Sequence, residues 1–292
     1  MPRWGPSCDI RGMKCLGRQP FPPLIAAMTL FLVSPLCVGQ QHLGMDRNDY
    51  PGDANMQTLR RTFAFTGYWL NNPPGTDHNT WKGKRSQLES MGYGFLLLFN
   101  GREYKELKAS GDAGGVGSRD AAAAVKAAAT EGFPQQAIIF LDQEQGGRML
   151  GEQRAYIHAW VDGVGHGGYR AGVYCSGIPV QESAKTSVIT ANDIRDNAGE
   201  RHIRFFVSND QCGPSPGCVF PAPPPHPAAS GVPFADAWQY AQSPRRPEVT
   251  AACHQTYAPN GNCYPPGFAP ASGLHIDVDT ANSADPSQGR TH

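Results

Sequence analysis

Several features that would assign this chain to a broad class are missing or scarce. Only 17% of its 292 residues are charged, and basic and acidic residues balance at 25 each. The N-terminal stretch takes four of the bases (Arg3, Arg11, Lys14, Arg18) and one acid (Asp9), which leaves the remainder slightly acidic. Proteins that bind nucleic acid usually concentrate bases on one face, so nucleic acid is excluded as the main partner. Beyond residue 39 no apolar run approaches the roughly 20 residues of a spanning helix, so no stable membrane span is expected once a leader is removed. The histidines form no HExxH pair and the cysteines no CxxC pair, so neither common zinc pattern is present and no metal or cofactor is expected. Gly163-x-Gly165-x-Gly167 follows a helix and precedes a strand, the wrong order for a dinucleotide fingerprint; helix termination explains it.

The first 39 residues read as an export signal. A positive flank precedes the apolar stretch Pro23 to Leu36, and Cys37-Val38-Gly39 offers a small-residue cleavage site. The leader has no twin-arginine pair. An uncleaved anchor and a lipoprotein site at Cys37 are the alternatives, weakened by the short apolar stretch and by bulky Leu36. Export implies a periplasmic or extracellular protein in which disulfides persist. Five cysteines remain after the leader: Cys175, Cys212, Cys218, Cys253 and Cys263. The nearest pairs, Cys212 with Cys218 and Cys253 with Cys263, would each close a short Gly- and Pro-rich loop. Cys175 sits in the apolar strand AGVYCS and reads as a buried thiol rather than a nucleophile.

Strand and helix signals alternate through most of the chain. Strands are expected ending at Gly44 to Asp46, then at Phe63 to Leu70, Tyr93 to Asn100, in the run before Asp142, and at Arg170 to Ser176. Between them come helices near Asn55 to Arg61, Trp81 to Met91, Ser118 (as cap) to Thr130, Glu152 to Val164 and Ile189 to Asn197. Three further strands, Ile203 to Ser208, Ala235 to Ala241 and Leu274 to Val278, have no convincing helices between them. Repeated βα units imply a parallel sheet. Eight strands at this length favour an irregular α/β barrel over residues 40–282, with about five βα units followed by three helix-poor strands; an open doubly wound sheet is the rival. Pro214 to Pro233 reads as a surface loop, the stretch Gly101 to Gly117 as another, and residues 283–292 as a disordered tail.

The segment AIIFLDQEQGG, residues 137–147, concentrates the chemistry. Its apolar strand ends in Asp142 and Glu144, and side chains two apart on a strand face the same way. In a barrel that face is the C-terminal mouth, where barrel enzymes hold their catalytic groups. Glycoside hydrolysis needs such a pair, one carboxyl as proton donor and one to stabilise or capture the oxocarbenium-like centre. The plain alternative is a solvated strand end. Asp46 follows the first strand, and Asp277 with Asp279 lies on the last, which neighbours the first in a closed barrel. Tyr68, Trp69, Asn100, Tyr174, Trp238, Gln239 and Tyr240 also fall near strand ends, where rings could stack on sugars and amides take hydroxyls.

Taken in order, MDRNDYPGD, GYWL, LDQE, YRAGVYCS, AWQY and HIDVD resemble the glycoside hydrolase-like TIM-barrel family of exported bacterial proteins, over roughly Leu43 to Ala281. That family is related to the family 25 glycoside hydrolases, the N-acetylmuramidase-type lysozymes. The resemblance implies Glu144 as general acid/base and Asp142 as stabiliser of the charged intermediate or orienter of an acetamido group, with Asp46 and Asp277 lining the subsite. It also implies a cell-wall or related polysaccharide, peptidoglycan above all, and cleavage of a β-1,4 bond. The pattern departs at Gln145-Gly146-Gly147-Arg148, where family 25 usually continues with acidic or aromatic positions. A barrel that binds glycan without cleaving it is the second reading.

Overall fold

A computed structural model of the protein describes residues 40–291. The leader expected over residues 1–39 lies outside the described residues. Ten strands are present among these residues: β1 (His42–Asp46), β2 (Phe65–Trp69), β3 (Gly94–Asn100), β4 (Ile138–Asp142), β5 (Arg170–Ser176), β6 (Val180–Ser183), β7 (Thr186–Val188), β8 (Arg204–Ser208), β9 (Ala237–Ala241) and β10 (Asp277–Ala281). All but the β6–β7 hairpin close into a barrel in the order β1-β10-β9-β8-β5-β4-β3-β2. Closure decides between the barrel and the open sheet. The α-helices are α1 (Asp53–Leu59), α2 (Arg85–Ser90), α3 (Tyr104–Ser110), α4 (Ala113–Thr130), α5 (Gly151–His166) and α6 (Thr190–Asp196). None of the described helices is long and apolar enough to cross a membrane.

The irregularity of the barrel follows from its last strand. Within the barrel, neighbouring strands from β1 through β9 pair in parallel, whereas β10 runs antiparallel to both β9 and β1. An antiparallel neighbour needs no crossover helix. The chain between β9 and β10 accordingly holds only 3-10 turns at Ala251–Thr256 and Pro270–Ser272.

Alternation along the strands sorts residues into two sets. Tyr68 and Phe95 point outward and meet Phe133 with ring centroids 5.1 and 5.2 Å away, and Phe99 packs on Trp160 at 5.0 Å. Inside the barrel, Phe140 faces Phe206 at 6.2 Å. Cys175 is unpaired and fully buried, and burial pushes its thiol pKa up, which removes it as a nucleophile.

The structure departs from four expectations. Helix α4 starts at Ala113, capped by Asp112 Oδ1, which accepts from the Gly115 amide at 2.8 Å. Ser118, the expected cap, lies inside the helix and donates to Gly114 O at 3.2 Å. The Gly-rich entry that suggested a loop is a packing surface: a Cβ on Gly117 would lie 2.4 Å from Tyr156 O on α5. The expected loop before it also contains α3.

The disulfides join Cys212 to Cys253 and Cys218 to Cys263, with Cα atoms 5.6 and 5.4 Å apart, in place of the two local pairs. Each bridge takes one cysteine from the β8–β9 loop and one from the β9–β10 loop, because these loops lie side by side. Spacing alone treats the loops as independent and cannot see this.

Residues 283–291, expected to be disordered, bond to the N-terminal ends of β3 and β4. The Ile138 amide donates to Ser287 O at 2.7 Å, the Ser287 amide to Phe95 O at 2.8 Å, and the Leu97 amide to Ser287 Oγ at 2.8 Å. Asp285 Oδ1 accepts from the Phe95 amide at 2.8 Å. The polar side chains that suggested disorder are the partners of strand amides.

Candidate active site

The strands deliver their inward residues to one mouth. A cleft of about 240 Å³ is lined by Asp46, Trp69, Leu98, Asp142, Tyr174, Phe206, Gln239 and Asp277 from the strands, with Glu144 just past β4. Asn48, Pro74, Gln242, Ser243 and Pro244 complete it from the loops. A second cavity of about 530 Å³ shares Pro74, Asp142 and Glu144 and continues along Asn100, Arg102, Glu103 and Gln145. The two cavities therefore meet at the Asp142/Glu144 pair.

Strand register explains the convergence. Asp46 pairs with Asp277 across β1 and β10, and Asp142 lies in register between Asn100 on β3 and Tyr174 on β5. Gly67 on β2 makes room for Asp46, since a Cβ there would lie 2.5 Å from the Asp46 Cβ. Gln239 ties the far side together. Its Nε2 donates to Asp46 Oδ2 at 2.8 Å and to Asp277 Oδ2 at 3.4 Å, while its Oε1 accepts from Tyr174 OH at 2.7 Å and from Gln242 Nε2 at 2.9 Å. The Ser243 amide donates to Asp277 Oδ1 at 2.6 Å.

Burial dominates the electrostatics. Asp46, Asp142 and Asp279 are buried, and Asp142 Oδ1 has no hydrogen-bond donor among the described residues. Desolvation disfavours a carboxylate, and nearby negative groups add to the effect. The Asp142 pKa is held well above the usual range by burial first, then by Glu144 and Asp46. Asp277 rises well above it by burial, then by Asp46, against the opposing Ser243 amide. Asp46 rises to about 6, burial winning over the hydrogen bond it accepts from Gln239. Glu144, exposed as a residue, is also raised, by burial of its carboxyl and then by Glu103, while Arg246 pulls it down. Arg246 is itself anchored by the buried Asp210, its Nε donating to Oδ2 at 3.0 Å.

Most of the expected site residues are brought together here, and four are not. Asp46, Asp142, Glu144, Trp69, Tyr174, Gln239 and Asp277 line the first cavity and Asn100 the second. Tyr68 is fully buried on the outer face, where its hydroxyl donates to Glu131 Oε2 at 2.6 Å. Trp238 also points outward, its Nε1 donating to Asn209 O at 2.9 Å, and its neighbour Tyr240 donates to Val219 O at 2.7 Å. Adjacent strand residues face opposite ways, so Trp69 excludes Tyr68 and Gln239 excludes Trp238 and Tyr240. Asp279 points inward but is fully buried and lines neither cavity.

Residues missed from sequence are mainly those of the loops. Asn48 stands two positions after Asp46, so the same alternation that selects Asp46 could have found it. Gln242 and Ser243 follow β9 with no signal beyond their place at its end. Among the described residues no group of three or more His, Cys, Asp or Glu side chains could hold a metal ion. Chemically, the mouth offers apolar walls from Trp69, Tyr174, Phe206 and Leu98, and carboxyls in unlike environments between them. Such a lining suits a ring with one apolar face and hydroxyls at its edge.

Comparison with known proteins agrees with this architecture. The model of the Rv2525c-like, glycoside hydrolase-like domain matches residues 65–257. Among solved structures, an uncharacterized protein of B. stearothermophilus shares the fold at TM-score 0.52 and 18% identity, over 82% of this chain and 95% of that one. The Tat-secreted protein Rv2525c of Mycobacterium tuberculosis is similar at TM-score 0.47 and 15% identity, over 86% and 98%. The spore cortex lytic enzyme SleM of Clostridium perfringens is similar at 0.49 and 15%, over 83% and 68%. No curated protein matches the chain significantly.

Proposed function

The chain belongs to the Rv2525c-like, glycoside hydrolase-like domain family, and from that premise we propose that it hydrolyses a β-1,4 glycosidic bond in an extracytoplasmic glycan, peptidoglycan being the foremost substrate. Glu144 serves as general acid/base and Asp142 as the group beside the charged centre. The observation that carries this reading is the meeting of two cavities at Asp142 and Glu144. A glycan lying through both would place a linkage beside this pair. A general acid must hold a proton near neutral pH, and the raised pKa of Glu144 supports that role. Trp69 and Tyr174 supply ring walls, and Gln239 with Asp46 and Asp277 supplies acceptors and donors for hydroxyls. The two disulfides support an oxidising compartment.

The purified protein incubated with peptidoglycan is expected to release new reducing ends, and Glu144→Gln to lower the rate by about 100- to 10,000-fold. No release from several cell-wall and polysaccharide substrates sinks the hydrolase reading.

One observation favours the second reading, glycan binding without cleavage. Burial holds Asp142 toward its neutral form, which weakens its ability to stabilise positive charge. Under that reading the wild type and Glu144→Gln bind glycan fragments equally well, and neither releases reducing ends.

A further inference from the structure

Asp279 stands apart from the other carboxyls of the mouth. It lies one layer below the cleft, in register with Gly44 on β1 and Gln239 on β9, and it is fully buried. Neither of its oxygens meets an N–H or O–H donor of the described residues. The Nε2 of Gln239, the nearby amide, is committed to Asp46 and Asp277. The titratable groups near Asp279 are Asp46 on β1, Asp277 on its own strand and, on the outer face of β9, Tyr240. The hydroxyl of Tyr240 is already given to Val219 O.

The carboxyl of Asp46 is thus the group with which Asp279 can pair. Two buried carboxylates repel, and an oxygen pair without a donor is costly in a dry interior. One shared proton removes both penalties, and the titration then belongs to the pair. We propose that Asp279 is a positioning residue, a neutral carboxylic acid whose O–H donates to Asp46 and keeps Asp46 as the anionic member of the pair. Gln239 on one side and Asp279 below then fix the Asp46 carboxylate, which lines the cleft while Asp279 stays out of reach of any ligand. The glycan reading supplies only the purpose of this arrangement; the proton assignment stands without it.

The first and deciding arm of the test needs no substrate. Asparagine at this position keeps the shape and supplies a permanent N–H donor but cannot ionise. In the wild type the folded pair holds a proton that the unfolded chain releases above about pH 4. The wild type therefore loses stability with rising pH in a way that Asp279→Asn does not. Thermal midpoints of the two full-length proteins, compared from pH 5 to 8, are expected to diverge in favour of the variant by roughly 3 °C or more. Asp279→Leu, which has no donor, is expected to weaken binding of peptidoglycan fragments at least tenfold, with Asp279→Asn restoring it. Parallel midpoint curves for the wild type and Asp279→Asn overturn the proposal.

Should Asp279→Asn fail to fold, Asp46→Asn gives the second arm. The proton belongs to the pair, so this variant should also flatten the pH dependence, and a slope equal to that of the wild type overturns the assignment. A failure in these measurements leaves the hydrolase reading intact, whereas the absence of reducing ends leaves the shared proton intact.

Discussion

Gly67 shows how closely the mouth is packed around one carboxyl. It faces inward between Phe65 and Trp69 on β2, and a Cβ there would lie 2.5 Å from the Asp46 Cβ and 3.3 Å from Leu98 Cδ1. Strand backbone cannot retreat from a closed barrel without disturbing two ladders. Gly67→Ala is therefore expected to destabilise the fold by about 1–3 kcal/mol and to pull Asp46 away from Gln239. Urea unfolding reads the first effect and glycan affinity the second; a variant equal to the wild type in both refutes the packing argument. At this scale the sequence was informative about which strand ends mattered and less so about which residue at each end faced in. Tyr68 with Trp69, and Trp238 with Gln239, stand side by side at strand ends, although a period of two admits one of each pair to the mouth. Only the closed structure gives the phase, because both members of each pair are buried and hydropathy does not separate inner from outer faces.

Among the elements, the alternating βα rhythm was legible because each strand is an apolar run and each helix a periodic one. Segments held by partners distant in sequence were not. The chain after β10 is the clearest case: its Ser and Asp residues are read locally as solvated, yet Ser287 and Asp285 satisfy the amides of Phe95, Leu97 and Ile138. Removal of residues 283–292 leaves these three strand amides without protein acceptors and is expected to cost at least about 2 kcal/mol. Hydrogen exchange should quicken at those three amides first. Unchanged protection there, with an unchanged urea midpoint, would show that the segment merely rests on the barrel. The disulfides were hidden for the same reason, since their pairing depends on two loops lying together at the end of β9. Bridges spanning 41 and 45 residues remove substantial freedom from the unfolded chain. Reduction is expected to lower stability by about 3–4 kcal/mol per bridge on the chain-entropy view. A reduced protein with the oxidised protein's unfolding midpoint would contradict it.

The whole molecule carries an electrostatic load at one end of its barrel, and its sign fixes how stability must respond to pH. Asp46, Asp142, Asp277, Asp279 and Glu144 all have folded pKa values above their unfolded ones, chiefly through burial. Groups of this kind bind more protons in the folded state than in the unfolded chain. Their contribution is fully present below about pH 4 and is lost as pH rises through the folded values, which for Asp46 means about 6. The buried parts of His42, His158 and His275 act oppositely, because burial lowers their pKa from 6.5. A depressed histidine gives stability that is lost toward acid, so these groups oppose the carboxyls below about 6.5 and add no further change above it. Above pH 6.5 protons still held by the carboxyls that burial holds well above their ordinary range, and absent from the unfolded chain, make rising pH unfavourable without that opposition. The thermal midpoint is therefore expected to fall across this interval by roughly 3 °C or more. Asp142→Asn and Asp277→Asn should each make the fall shallower, because each removes one of the ionising groups. Calorimetry of the three proteins at constant ionic strength decides the matter. A midpoint that holds steady or rises from pH 6.5 to 8 would mean that the mouth accepts its full negative charge without penalty, contrary to the burial of its carboxyls.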